Sequence, residues 1–224
     1  MDWVAIRLSL LLALATLALL LPAALFAGRW LASTRTPAKP WLEGLIALPL
    51  VLPPTVIGYY LLTLTGNQGA LGHFYERFVG HPLAFSFEGL VLASVLFNVP
   101  FAVSPVQRAF ESISLDIHEA AQCCGMTRAQ TLWRIELPLA WPGLLSAAVM
   151  TFAHTLGEFG VVLMVGGNIP GETKTIAISI YDKVQSFETG AAGAMSLLLL
   201  TVSLVTIAVS YGLVEHRMRG RRMV

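Results

Sequence analysis

Three observations predict an all-α, polytopic membrane protein. The chain of 224 residues is 56% hydrophobic and only 12% charged, and its mean hydropathy of +0.72 places it among membrane proteins. The apolar residues gather in five long stretches, each near the ~20 residues that a helix needs to cross a bilayer. The basic residues gather in alternate connections, as they do when one set of loops faces the cytoplasm. Residues 1–224 read as a single transmembrane domain. A net charge of +1 argues against a nucleic-acid partner, which a strongly basic face would bind.

Leu8 to Gly28 carries no charge and is read as the first span. A cleaved signal peptide is the rival reading. The apolar run exceeds the usual h-region of ~7–15 residues, and Asp2 spoils the basic start. The second span runs from about Glu43 to Thr65 and contains Pro49, Pro53 and Pro54. Each proline removes a backbone donor and bends a helix. Freed carbonyls at membrane depth are tolerated where protein or a water-filled cavity satisfies them, so Pro53, Pro54 and Thr55 mark either a kinked packing helix or a pore-lining break. Gly66 to Pro82 reads as a polar connection. The third span runs from about Ala84 to Ala109, with Asn98 near its middle. The fourth begins at Pro142, a favoured first-turn proline, and extends to about Val165. Gly166 to Gly190 is a second polar connection. The fifth span covers about Ala191 to Val214, and a basic tail follows from Glu215 to Val224.

Between the third and fourth spans lies Asp116 to Pro138, DIHEAAQCCGMTRAQTLWRIELP. Asp116 and Glu119 have the spacing of a capping box. Gly125 is placed to end that short helix in a left-handed turn. Thr127 and Gln130 make a second capping box, and Pro138 limits the second helix. Ala120 and Ala121 give the first helix a slim face. The adjacent Cys123 and Cys124 read as small helix residues in a reducing compartment. The product is a polar helix–turn–helix at the membrane surface.

Glu119-Ala120-Ala121, Gly125, and Ile135-x-Leu137-Pro138 fit the pattern EAA-x3-G-x9-I-x-LP at every defined position. This resembles the cytoplasmic coupling loop of importer-type ABC transporter permeases, and those seven residues are the ATPase-coupling residues that the resemblance implies. LPLVLPPTVIGYYLL, LGEFG and GGNIPGETKTI further resemble the permeases of molybdate importers, with GGN where that family is expected to carry SN. The resemblance implies a homodimer with a second permease copy, two cytoplasmic ATP-binding subunits and a periplasmic oxyanion-binding protein. It implies a multi-pass protein of the cytoplasmic (inner) membrane in contact with lipid. Sulfate and tungstate permeases share the architecture and remain alternatives. No cofactor and no metal is expected.

The basic residues give an orientation. Arg29, Arg35 and Lys39, then Arg108, Arg128 and Arg134, then Arg217, Arg219, Arg221 and Arg222 fall on one side of a five-span chain. Arg7, Arg77, Lys174 and Lys183 fall on the other. The N-terminus is therefore expected outside, the C-terminus and the helix–turn–helix inside.

Other motifs are incomplete. Gly166-x4-Gly171 is followed by Glu172 where a phosphate-binding loop needs Lys, so ATP-driven work needs a partner. His118-Glu119 starts a zinc-protease signature, but Gln122 stands where the second ligand belongs. An intramembrane enzyme is a poor reading. A self-sufficient carrier or channel has no use for an ATPase-docking helix, and the internal repeats common in carriers are absent.

Glu158 is the acid of the fourth span, and an intramembrane acid is by default a functional candidate. It lies nineteen residues beyond Leu139, about 28 Å at ~1.5 Å per residue, which places it near the outer boundary. Thr151 and Thr155 share a helical face with it, either as a pore-facing stripe or as interhelical contacts. Apart from Arg108 at the edge of the third, no Lys or Arg falls inside a predicted span, which suits a path that holds an anion weakly. Neutral donors such as Thr55, Asn98, Thr151 and Thr155 are candidates to line that path.

Overall fold

The computed structural model describes residues 1–221, with side chains described through residue 213. Helix α1 (Trp3–Ser33) starts at Asp2, whose carboxylate accepts the Ala5 N–H at 3.0 Å. Then come α2 (Lys39–Val51), α3 (Pro54–Thr65), α4 (Ala70–Val79) and α5 (Phe87–Glu111). The polar hairpin holds α6 (Leu115–Cys123) and α7 (Arg128–Thr131), and a π turn (Leu132–Glu136) leads into α8 (Leu137–Gly157). The chain ends with α9 (Gly160–Gly166), α10 (Ile176–Gln185) and α11 (Thr189–Arg221). The basic tail continues α11, and its residues 222–224 lie outside the described residues.

Among the described residues, four helices are long and apolar enough to cross a membrane, or five if α2 and α3 count as one span bent by 105°. The bend falls at Pro53 and Pro54, where backbone donors are missing.

Packing fixes which way each element runs. Leu8 and Leu12 of α1 cluster with Leu90 near the start of α5. Leu31 of α1 clusters with Ala102 and Val103 further along it. The two helices are therefore parallel. Helix α8 runs against them: Ala140 and Ala147 pack with Val106 and Phe110, while Thr155 reaches Ser94. Helix α2 starts at the same end as the polar hairpin, where Lys39 pairs with Glu111 at 2.8 Å. Helix α3 continues to the other end, with Leu61 against Ala93 and Val161. Asp2 accepts from Ser179 of α10 at 2.9 Å, so the N-terminus and α10 share the end far from the hairpin.

Four expectations need correction. The fourth span does not run from Pro142 to Val165. It begins earlier, since α7, the π turn and α8 are continuous from Arg128 to Gly157, and Pro142 lies inside α8. It also stops earlier: Glu158 is extended (φ −69, ψ 127) and the chain restarts as α9. Gly157 and Gly160 flank the break, and glycine is a poor helix former. Glu158 Oε1 accepts the Val161 N–H at 2.8 Å, which satisfies an amide that the break would orphan. Finally, the two polar connections each contain a short helix that the sequence reading did not name, α4 and α10. Both are short and amphipathic, and so were hidden between longer apolar runs.

Candidate functional site

The hairpin is built from backbone chemistry. Ser114 precedes α6 as its N-cap residue without a side-chain cap bond, and Asp116 sits inside the first turn. The predicted Asp116–Glu119 capping box is therefore absent, because the helix begins two residues earlier than that spacing assumed. The C-terminal end follows expectation. Gly125 has φ +71, the Gly125 N–H bonds to Gln122 O at 2.9 Å, and the Met126 N–H to Ala121 O at 3.1 Å. This pair of bonds is the Schellman closure, which wants glycine in the left-handed position. Thr127 and Gln130 form the reciprocal capping box predicted for α7.

Pro138 does not end the second helix. Its ring would collide with the carbonyl four residues back in a regular α-helix. The preceding π turn, closed by Leu137 N–H to Leu132 O, widens the coil just ahead of it.

The structure divides the seven motif residues by environment. Glu119, Ala120, Gly125 and Pro138 are exposed, Ile135 and Leu137 are half-buried, and Ala121 is 3% exposed. The two alanines thus do not share one face. Ala121 packs inward, and Ala120 faces out beside Glu119. Cys123 and Cys124 are free and exposed. Leu115 and Trp133 are 62% and 69% exposed, which leaves apolar surface on both arms of the hairpin.

A charge cluster that sequence reasoning missed ties this hairpin to the spans. Glu136 fills the undefined position of the I-x-LP pattern and is 4% exposed. Arg29, near the end of α1, donates to it twice: Nε to Oε2 at 2.5 Å and Nη2 to Oε1 at 3.2 Å. Such a two-pronged guanidinium–carboxylate contact fixes orientation as well as distance. His118 of α6 brings Nδ1 within 3.5 Å of Glu136 Oε1. A separation of 107 residues between Arg29 and Glu136 left no local signal. The one available cue was a lone acid in an apolar run. Beside the cluster, Gln107 donates to Glu43 at 2.6 Å and to Glu111 at 3.0 Å, which joins α2 to α5 at the same end.

The candidate path residues fall in two groups. Asn98, Thr151 and Thr155 are buried at the contact of α1, α5 and α8. Thr16 donates to Ser94 at 2.9 Å, Asn98 Nδ2 to Ser94 O at 2.8 Å and Thr155 to Thr151 O at 2.8 Å. His154 Nδ1 lies 3.1 Å from Asn98 Oδ1, and its ring stacks on Phe101 at 4.0 Å. Thr151 Oγ1 is buried without a partner. This network holds three helices together inside one subunit.

Pro53, Pro54 and Thr55 are exposed and form the second group with Glu158. The break at Pro53–Pro54 meets the break at Glu158–Phe159. A Cβ on Gly160 would sit 2.6 Å from Pro54 Cβ and 3.8 Å from Glu158 Oε1, so glycine permits the crossing. Two interrupted helices that touch at their interruptions give a place where backbone polarity reaches membrane depth.

At the far end, Asp182 clamps the loop after α9. It pairs with Lys174 at 2.6 Å and accepts from Asn168 at 2.9 and 3.0 Å. Burial pushes its carboxyl up, but the hydrogen bonds from Lys174 and Asn168 outweigh that and hold it below the usual range. Among the described residues, no group of three or more His, Cys, Asp and Glu could hold a metal.

Residues 20–220 match the family model described as "Binding-protein-dependent transport system inner membrane component". The molybdenum transport system permease protein ModB of Azotobacter vinelandii is 46% identical over 191 residues, 85% of this chain and 84% of that protein. Its Escherichia coli K12 counterpart is 35% identical over 207 residues, 92% of this chain and 90% of that one. The sulfate transport system permease protein CysT of Salmonella typhimurium is 33% identical over 190 residues, 85% of this chain but 68% of that protein. Among solved structures, a bacterial ABC transporter involved in the import of the acidic polysaccharide alginate matches with a TM-score of 0.76 at 18% identity, covering 95% of this chain and 78% of that one. That likeness bears on the fold.

Proposed function

The chain belongs to the family of binding-protein-dependent transport system inner membrane components, and from that membership we propose that it is the pore-forming permease subunit of an ATP-driven molybdate importer. The observation that carries the substrate is the 46% identity to the Azotobacter vinelandii molybdenum permease across 85% of this chain. The sulfate permease is both less similar and longer than this chain, which favours molybdate over the sulfate alternative. The protein is a multi-pass component of the inner membrane. It works as a homodimer with two cytoplasmic ATP-binding subunits that hydrolyse ATP, and it receives its oxyanion from a periplasmic binding protein.

Coupling to the ATPase runs through residues 116–138. Glu119, Ala120 and Gly125 present the contact, while Ala121, Ile135, Leu137 and Pro138 seat the hairpin on the spans. The path passes the paired breaks at Pro53, Pro54, Thr55 and Glu158, with Asn98, Thr151 and Thr155 as the polar frame behind it. The test is uptake by proteoliposomes holding the permease, its ATPase and its binding protein. ATP-dependent molybdate accumulation is expected, with sulfate a poor competitor. Sulfate uptake alone would overturn the substrate, and no ATP-driven oxyanion uptake would overturn the importer reading. In the same vesicles, replacing Pro53 and Pro54 together by Ala should lower uptake in an intact complex. Unchanged uptake would leave those prolines a packing role.

The N-terminus lies outside and the hairpin inside, as the distribution of basic residues along the sequence favours. A membrane-impermeant amine reagent applied to intact cells should modify Lys174 and spare Lys39. Protection of Lys174 combined with modification of Lys39 would reverse the orientation.

A further inference from the structure

Helix α4 has no place in the coupling or path assignments, yet its two faces differ sharply. Leu71, Phe74 and Phe78 are spaced i, i+3, i+7 and so lie on one side. The rings of Phe74 and Phe78 touch at a tilt of 49°, with centroids 4.7 Å apart, and are 64% and 72% exposed. Leu71 and Val79 are 47% and 49% exposed. His73, Glu76 and Arg77 occupy the opposite side. Within the subunit Phe74 and Phe78 therefore stay mostly uncovered, and Leu71 and Val79 about half so.

The placement of α4 says what covers them. It connects the end of α3 to the start of α5, at the end of the bundle opposite the hairpin. Gly66 and Asn67, His81 and Pro82, Ala84 to Glu88, and Leu8 and Leu11 of α1 line one cavity of about 880 Å³. The level of α4 is thus the level at which several spans terminate. Its tilt is fixed, because a Cβ on Gly72 would collide with the carbonyl oxygens of Thr65 and Gly66. Tyr75 packs edge-on to His81 at 5.5 Å, which secures the other end. A short helix held at the span boundary, with aromatic residues on one side and charged residues on the other, has the pattern of an interfacial helix. The exposed apolar residues of α3, Tyr60 at 61% and Leu64 at 47%, continue toward it from the membrane.

We infer that α4 lies in the headgroup–acyl boundary of the lipid bilayer on the side away from the hairpin, with Leu71, Phe74 and Phe78 inserted among the acyl chains and Arg77 and His73 among the headgroups. The bilayer then anchors the end of α3 whose other end sits at the Pro53–Pro54 break. The inference rests on the membrane embedding of the chain and not on the transported ion.

Nitroxide scanning of the full-length subunit tests it, with Cys123 and Cys124 replaced by Ser and the protein reconstituted in phosphatidylethanolamine–phosphatidylglycerol vesicles. Labels at Phe74 and Phe78 should collide with oxygen several-fold more readily than with an aqueous nickel chelate. Labels at His73 and Arg77 should reverse that ratio. Low access to both reagents at 74 and 78, with dipolar broadening between two labelled copies, would show that a second subunit covers this face and overturn the lipid assignment. Nickel access at all four positions would overturn it as well. Uptake failure in the vesicles would not bear on it, since the labels read depth alone.

Discussion

Gly125→Asp is expected to leave the subunit folded and inserted while ATP-driven uptake collapses. A Cβ added at Gly125 meets nothing within 4 Å, so the free subunit accommodates the side chain. The backbone there has φ +71, which costs a non-glycine residue ~1 kcal/mol and loosens the turn. The larger effect arises on docking. A carboxylate carried into the proposed contact with the ATPase would lose its water, and an unpaired charge in such a contact costs ~3 kcal/mol. That weakens association about a hundredfold. Co-purification with the ATPase subunit should fail, and uptake in vesicles should fall with it. Normal uptake by the variant would mean that the docking surface lies elsewhere on the hairpin or beyond it.

Glu136→Ala acts one step further along the same connection. Deleting the carboxylate strands the Arg29 guanidinium at the end of α1 and removes the contact to His118 of α6. Breaking a fully buried pair costs ~3–5 kcal/mol. Arg29 keeps 35% of its side chain in solvent, so the expected loss is smaller, about 1–2 kcal/mol after screening. The docking surface itself is untouched, so ATPase binding should survive. What should change is the efficiency of the connection: α1 no longer follows the hairpin, and more ATP is hydrolysed per ion imported. The ratio of hydrolysis to uptake in reconstituted vesicles is the measurement. A ratio equal to that of the unaltered protein would show that Arg29 and Glu136 merely stabilise the fold.

Much of this architecture was legible because local chemistry dictated it. The spans α1, α5 and α11 follow from long, largely apolar stretches, and the bend between α2 and α3 from adjacent prolines. The left-handed turn follows from Gly125 and the α7 cap from Thr127 and Gln130. Three failures share a cause, which is competition between two local signals. Asp116 lost the cap position to Ser114, because the helix already starts at Leu115 and takes Asp116 into its first turn. Pro138 reads as a stop, yet a wider turn upstream absorbs its ring. The apolar run across Gly157 to Gly160 conceals a break that Glu158 stabilises from inside. The Arg29–Glu136 pair joins residues so distant in sequence that no window contains both. Among the candidate site residues, the hairpin positions were legible from a rigid pattern of spacing. The burial of Asn98, Thr151 and Thr155 between three helices depends on tertiary neighbours that composition does not name.

The π turn at Leu132–Glu136 sets an angular phase between two working parts. An α-helix advances ~100° per residue, and a π turn holds one residue more than the regular coil would. Every side chain before it is therefore offset around the helix axis from where an unbroken helix would put it. Regularising this turn without losing a residue would swing α6, α7 and Gly125 about the axis of α8 by ~100°, whereas removing the extra residue together with the turn would leave them in place. The composition and the apolar length of the span would hardly change. Hairpins exchanged between relatives would point in the same direction only if the extra residue and the wide turn that absorbs it were kept or lost together.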